Sequence, residues 1–232
     1  MKQSLEHPTQ LAGTVFRYDG SFPGFLTAAG LALQETSGLA EIRPAGSEIQ
    51  PLFYRECVVE TNMAGAQAVW AALASSGPGL QRLVYFAFLS GKAGVENVLL
   101  SYLKCKQAEG PMSAEQEETT ATLLRRIAGL ARRVGDEKIR LEGTLRFVSG
   151  VREIPVCELS PEHNVLPLLT RQCRWQFGNQ PWMLYDRNRG YGIYSRNGMM
   201  SFFRKGRPTG PAAIATAEIY EEPAWPSVRK AV

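Results

Sequence analysis

Three side chains able to move protons stand beside turn or helix-start signals. They are Asp19 in Tyr18-Asp19-Gly20-Ser21-Phe22, His163 in Pro161-Glu162-His163-Asn164, and Asp186 at the head of Asp186-Arg187-Asn188-Arg189-Gly190. Brought into one cleft, two carboxylates and an imidazole could serve general acid–base chemistry. Each residue also has a structural reading. Asp-Gly is turn chemistry, and a histidine ahead of a helix caps or bonds backbone. Asp186 can pair with Arg189 and hold its planar guanidinium ready for phosphate or carboxylate. Both readings stay open on sequence grounds.

A second constellation is cationic and aromatic. Trp182, Tyr185, Tyr191, Tyr194 and Phe202 alternate with Arg187, Arg189, Arg204, Lys205 and Arg207. Rings beside arginines suit unstacked bases held in a basic groove, although strand alternation sends about half of such rings into a core. Net charge is +4 over 232 residues, unevenly spread. Residues 171–207 hold eight Lys/Arg against Asp186 alone, 8 − 1 = +7, whereas residues 1–110 hold eight against nine, 8 − 9 = −1. Such clustering points to a polyanion, with a solvated basic surface as the plain alternative. Arg125 and Arg132 lie on the polar side of a long helical pattern, and Arg146 on a strand pattern. They extend the candidate nucleic-acid contacts.

Other chemistry is excluded by what is missing. There is no phosphate-binding Gly-rich loop, no Gly-x-Ser-x-Gly and no dinucleotide fingerprint, so no cofactor is signalled. Cys57, Cys105, Cys157 and Cys173 are scattered, with no Cys-x-x-Cys pair, and only His7 and His163 are available. No metal site is expected, and the thiols read as reduced and mostly buried. The longest apolar run, Leu83 to Leu89, is too short to span a bilayer, and the start lacks an export signal. A cytoplasmic protein without membrane contact is expected.

The elements that must position these residues are helical first and extended later. A strand over Val15 to Tyr18 precedes a helix capped by Ser21, Leu52 to Glu60 reads as a strand, and Asn62 caps the next helix. Gly38 to Pro51 reads as a long connection. Leu80 to Leu89 looks apolar all round, as a central buried helix would. Val95 to Leu103 forms an amphipathic helix, and Ser113 with Gln116 offers a capping box for the long helix carrying Arg125 and Arg132.

From Leu141 the pattern turns to strands, with Arg152 to Leu159 at an edge because of Pro155. Ser160 or Asn164 can cap a helix running to Phe177. Trp182 to Asp186 pairs with Tyr191 to Ser195, and Asn197-Gly198 turns into Met199 to Phe203. The predicted class is α+β, a helix-rich N-terminal two thirds packed with a small antiparallel sheet from the C-terminal third. Residues 1–207 are read as one domain, and 208–232 as an extended or partly disordered tail.

Tyr18-Asp19-Gly20-Ser21-Phe22, Ala87-Phe88-Leu89-Ser90, Gly143 with Leu145-Arg146-Phe147, and the Pro161 to Tyr191 region occur in an order that resembles an uncharacterised bacterial family labelled "probable DNA metabolism protein". Similarity covers roughly Phe16 to Tyr194. The resemblance implies a neighbourhood rather than a reaction. Members are encoded beside a DNA-repair radical S-adenosylmethionine (radical SAM) protein, and related chains fuse the domain to a uracil-DNA-glycosylase-like one. This chain departs from the family at Ile139, Gln172-Cys173 and Gln176, where His, His-Phe and Arg are common. Activity needing those histidines is expected to be reduced or absent.

Three functions follow as expectations. One is an accessory protein that binds DNA and works with the radical SAM protein or the glycosylase-like protein. Another is a DNA-processing enzyme using Asp19, His163 and Asp186. The third is a protein-binding module that never touches DNA.

Overall fold

The computed structural model describes residues 13–35, 39–47, 54–107, 111–150, 153–204 and 219–220. These divide into two compact units, one drawn from residues 1–88 and 92–128, the other from 89–91 and 129–229.

Val15, Phe16 and Tyr18 bury the middle strand of the first unit, β1 (Gly13–Tyr18). It pairs in parallel with β2 (Leu39–Pro44) on one side and β3 (Tyr54–Val58) on the other, with Phe16 opposite Ile42 and Cys57. Helix α1 (Phe22–Gln34) carries the chain from β1 to β2, since parallel neighbours need a long crossover. Ser21 caps it as expected, its Oγ accepting from Gly24 N at 3.0 Å. The strand expected over Leu52 to Glu60 is present as Tyr54–Val58, ending two residues early, with residues 52 and 53 outside the described set.

Strand β2 corrects the long connection expected over Gly38 to Pro51. Only Ile42 of its six residues is buried, so no period-2 signal marks it.

Helices α2 (Met63–Ser75), α3 (Leu80–Leu89) as far as Phe88, α4 (Val95–Gln107) and the N-terminal half of α5 (Ala114–Glu142) complete this unit. Asn62 caps α2, and Ser113 with Gln116 forms the reciprocal box at α5, at 2.9 and 3.3 Å. Phe22 meets Trp70 edge-on at 5.4 Å and Phe88 at 5.1 Å, and Phe25 stacks on Phe88 at 5.3 Å. These rings form much of the core. Helix α3 is not buried all round: Val84 and Ala87 are enclosed, while Arg82 is exposed and lies 5.0 Å from the Phe86 ring centroid. Its aromatic residues are half-buried instead.

The second unit holds a six-stranded sheet ordered β4-β5-β6-β7-β8-β9: Val148–Ser149, Pro155–Leu159, Trp182–Asp186, Tyr191–Arg196, Met199–Arg204 and Ile219–Tyr220. The fold class is α+β, with helices mostly N-terminal and strands C-terminal. Most of the sheet is antiparallel, but β5 and β6 run parallel and are joined through α6 (Leu166–Phe177). Pro155 opens its strand opposite Ser149 of β4, so β5 is not an edge; a first-position proline costs the ladder little. Leu141 still belongs to α5, and the extended strand expected from there shrinks to β4.

The β7–β8 connection follows its sequence signal. Asn197 at φ 53° and Gly198 at φ 79° make the left-handed two-residue turn that matches strand twist. Helix α6 ends at Phe177 as expected. Its cap is Val165 without a side-chain bond, neither Ser160 nor Asn164. Of the tail expected at 208–232, Ile219–Tyr220 pairs with β8, and the rest lies outside the described residues.

Candidate nucleic-acid interface

Asp186 ends β6 with its side chain fully enclosed. Its Oδ1 accepts the amides of Asn188 at 2.9 Å and Arg189 at 3.1 Å, and its Oδ2 accepts Arg189 Nη1 at 2.9 Å. Held in this way, Arg189 donates to the carbonyls of Pro161 at 3.2 Å and Glu162 at 2.6 Å, and Asn188 Nδ2 reaches the Pro161 carbonyl at 2.9 Å. The hairpin thus grips the Pro161–Asn164 loop.

Glu137 of α5 holds the same loop through its backbone, accepting the amides of Glu162 and His163 at 2.8 Å each. Asn164 accepts the Tyr191 hydroxyl and gives its amide to the Leu89 carbonyl at 2.9 Å. His163 is 2 % exposed, and its Nδ1 lies 3.3 Å from the Ser90 carbonyl, a distance that suits the Nδ1–H tautomer. Asp186, Arg189 and Tyr191 therefore spend their polar atoms within the protein, as does the Nδ1 edge of His163. Arg187 is 63 % exposed at its side chain but paired to Glu158, its Nε donating at 2.6 Å.

Asp19 belongs to the first unit, at the carboxyl end of β1, where parallel strands open toward a shallow recess of about 420 Å³ lined by Arg17, Ser47 and Glu56 among others. Its Oδ1 accepts the Ser21 amide at 2.9 Å and hydroxyl at 2.7 Å, and its Oδ2 accepts the Thr61 hydroxyl at 2.8 Å. Gly24 makes this possible, because a Cβ there would strike Asp19 Oδ1 and stand 2.9 Å from Thr61 Oγ1. Burial alone would raise the Asp19 pKa. The donors from Ser21 and Thr61 outweigh it and hold the carboxyl below its ordinary 3.8. Arg17 is taken by Glu56 and by Ser47 Oγ at 2.8 Å.

The ring set needs a correction. Trp182 and Tyr185 are fully buried, because all five residues of β6 are enclosed in an interior strand, so neither can offer a face to a base. Tyr191, Tyr194 and Phe202 are half-buried.

Among the described residues the exposed ring is Trp175 on α6, 82 % accessible, which sequence reasoning passed over. Its signal was helical phase. Leu166, Leu169, Thr170 and Cys173 form the buried face, and two residues beyond Cys173 is roughly 200° around the helix. With roughly 200 Å² of side chain at 25 cal/mol per Å², this exposure forgoes about 4 kcal/mol of burial.

Arginines near and beyond that ring also lack a counter-charge among the described residues. Arg146, Arg171, Arg174, Arg196 and Arg204 are exposed, and among the described residues none forms an ion pair. Arg125 instead pairs with Glu118 at 2.7 Å and Arg132 with Asp136 at 3.7 Å. Lys205 and Arg207 lie outside the described residues. Among the described residues no cluster of three His, Cys, Asp or Glu side chains could hold a metal ion, and no helix is long and apolar enough to cross a membrane.

Fold and site together define an α+β protein whose second unit turns unpaired guanidinium groups and an indole toward solvent. The chain belongs to the family described as Domain of unknown function (DUF4130), which it matches over residues 93–226, more than half its length. That span covers α4 to β9 and starts beyond the Tyr18–Phe22 motif. No curated protein matches the chain.

Proposed function

We propose that this protein is a DNA-binding accessory factor of repair or modification, working beside a radical SAM enzyme or a uracil-DNA-glycosylase-like protein. The observation that carries the reading is charge without counter-charge. Between Arg171 and Arg204 the only acidic residue is Asp186, which is buried and committed to Arg189, whereas Arg171, Arg174, Arg196 and Arg204 stand exposed and unpaired among the described residues. Unpaired guanidinium groups displace counterions from phosphates, so the free energy gained is largest where no carboxylate competes. The DNA-repair setting rests on the motif resemblance, and the charge pattern is consistent with it.

The test is an anisotropy titration of the full chain with single- and double-stranded DNA at two salt concentrations. Affinity should fall steeply with salt, and R171A/R174A should bind several-fold more weakly at low salt. Absence of salt-dependent affinity in the unmodified protein would overturn the reading.

A further inference from the structure

Tryptophan is highly buried on average, and an isolated exposed indole on a rigid helix is an arrangement that folding energetics does not favour. Trp175 occupies the last turn of α6, ahead of the Gly178 cap. Arg171 lies one turn back on the same face, where side chains four apart are neighbours. Arg174 reaches across to β8, its Nη2 lying 3.3 Å from Met200 Sδ. The Asn197 amide donates to the Asn179 carbonyl at 3.3 Å, fastening the β7–β8 turn to the segment after α6. In that turn Arg196 pairs in register with Met199, which is 70 % exposed.

The result is one flat ring with cations on the helix and on the hairpin, and no carboxylate on either element. A protein partner driven by apolar burial would want contiguous hydrophobic surface. Here the exposed neighbours in sequence are Arg174, Gln176, Gly178 and Asn179, Phe177 is half-buried, and the adjoining turn adds a single exposed apolar side chain, Met199. An acidic peptide would use the arginines but has no need of the ring.

Resting on the DNA-binding reading above, we propose that Trp175 is a stacking platform for an unpaired base of single-stranded DNA, with Arg171, Arg174 and Arg196 neutralising the flanking phosphates. A duplex hides its base faces in the stack and would engage the arginines alone, whereas a single strand offers a π-face together with its backbone.

The experiment compares W175A, W175F and R171A/R174A with the unmodified full chain, using an oligothymidylate strand and a duplex as probes and thermal melts to confirm folding. W175A should lose roughly tenfold in single-strand affinity, within the range for base–aromatic stacking, with duplex affinity almost unchanged. W175F should keep most of the single-strand affinity, and R171A/R174A should weaken both probes. Single-strand binding by W175A equal to that of the unmodified protein, with R171A/R174A impaired, would overturn the platform and leave the DNA-binding reading standing. No binding of either probe by the unmodified chain would overturn both.

Discussion

At the scale of single residues, the sequence located the chemistry-bearing groups but not what they are spent on. Asp186 and Arg189 were legible as a pair. That the pair grips a loop 27 and 28 residues upstream of Arg189 depended on tertiary contacts with the Glu162 and Pro161 carbonyls, which no spacing encodes. Trp175 and Trp182 show the opposite lesson. Both were decidable by period, the first lying off the apolar face of its helix and the second starting a near-continuous apolar strand, yet proximity to arginines drew attention to the buried ring.

Asp19 yields the prediction at this scale. Its carboxylate is held below its ordinary 3.8 by donors that favour the charged form. The stability it contributes is therefore complete above that unfolded-state value and is lost as pH falls through the lower folded-state one. Urea midpoints of the unmodified protein and D19N, measured from about pH 6 to about pH 3, should differ most at the upper end and converge toward the acid end. A constant difference would mean that the Ser21 and Thr61 bonds do not depend on the Asp19 charge.

At the scale of elements, caps and turns carried most of the information. Ser21, Asn62, the Ser113–Gln116 box and Asn197-Gly198 each announced a boundary, because each satisfies orphan backbone groups or a positive φ locally. What escaped was pairing: β2 at a sheet edge, and the parallel β5–β6 neighbours, whose order is set by α6 crossing between them. That crossover has a measurable consequence in its cysteines. Cys173 on α6 is buried and its thiol pushed up to about 12, first by burial and then by nearby Cys157, whose own thiol is raised mainly by burial on β5. Because the thiolate is the reactive form, alkylation at about pH 8 should modify Cys57 and Cys105, which are half-buried, well before Cys157 and Cys173. Mass spectrometry after native and denatured labelling checks this, with the two inner thiols reacting fully only after unfolding.

At the scale of the whole molecule, formal charge overstates how many arginines can meet a phosphate, and pairing decides which of them count. Residues 171–207 hold eight cationic side chains, but Asp186 neutralises Arg189 inside the fold, and Glu158, from outside that stretch, neutralises Arg187. Surface pairing is weak, worth about 0–1 kcal/mol, yet a guanidinium that must leave a carboxylate gains correspondingly less from a phosphate, and the carboxylate it abandons repels the same strand. Arg196 has no such competitor among the described residues. Replacing it with alanine should therefore lower the slope of log affinity against log salt by about 0.7 on single-stranded DNA, the value of one neutralised phosphate. R187A should change that slope far less, because it removes a charge already cancelled and frees Glu158 to oppose the strand. Salt titrations of both variants against the same strand decide the matter: equal slope changes would mean that the Arg187–Glu158 pair opens freely on binding, and that formal charge is the better guide.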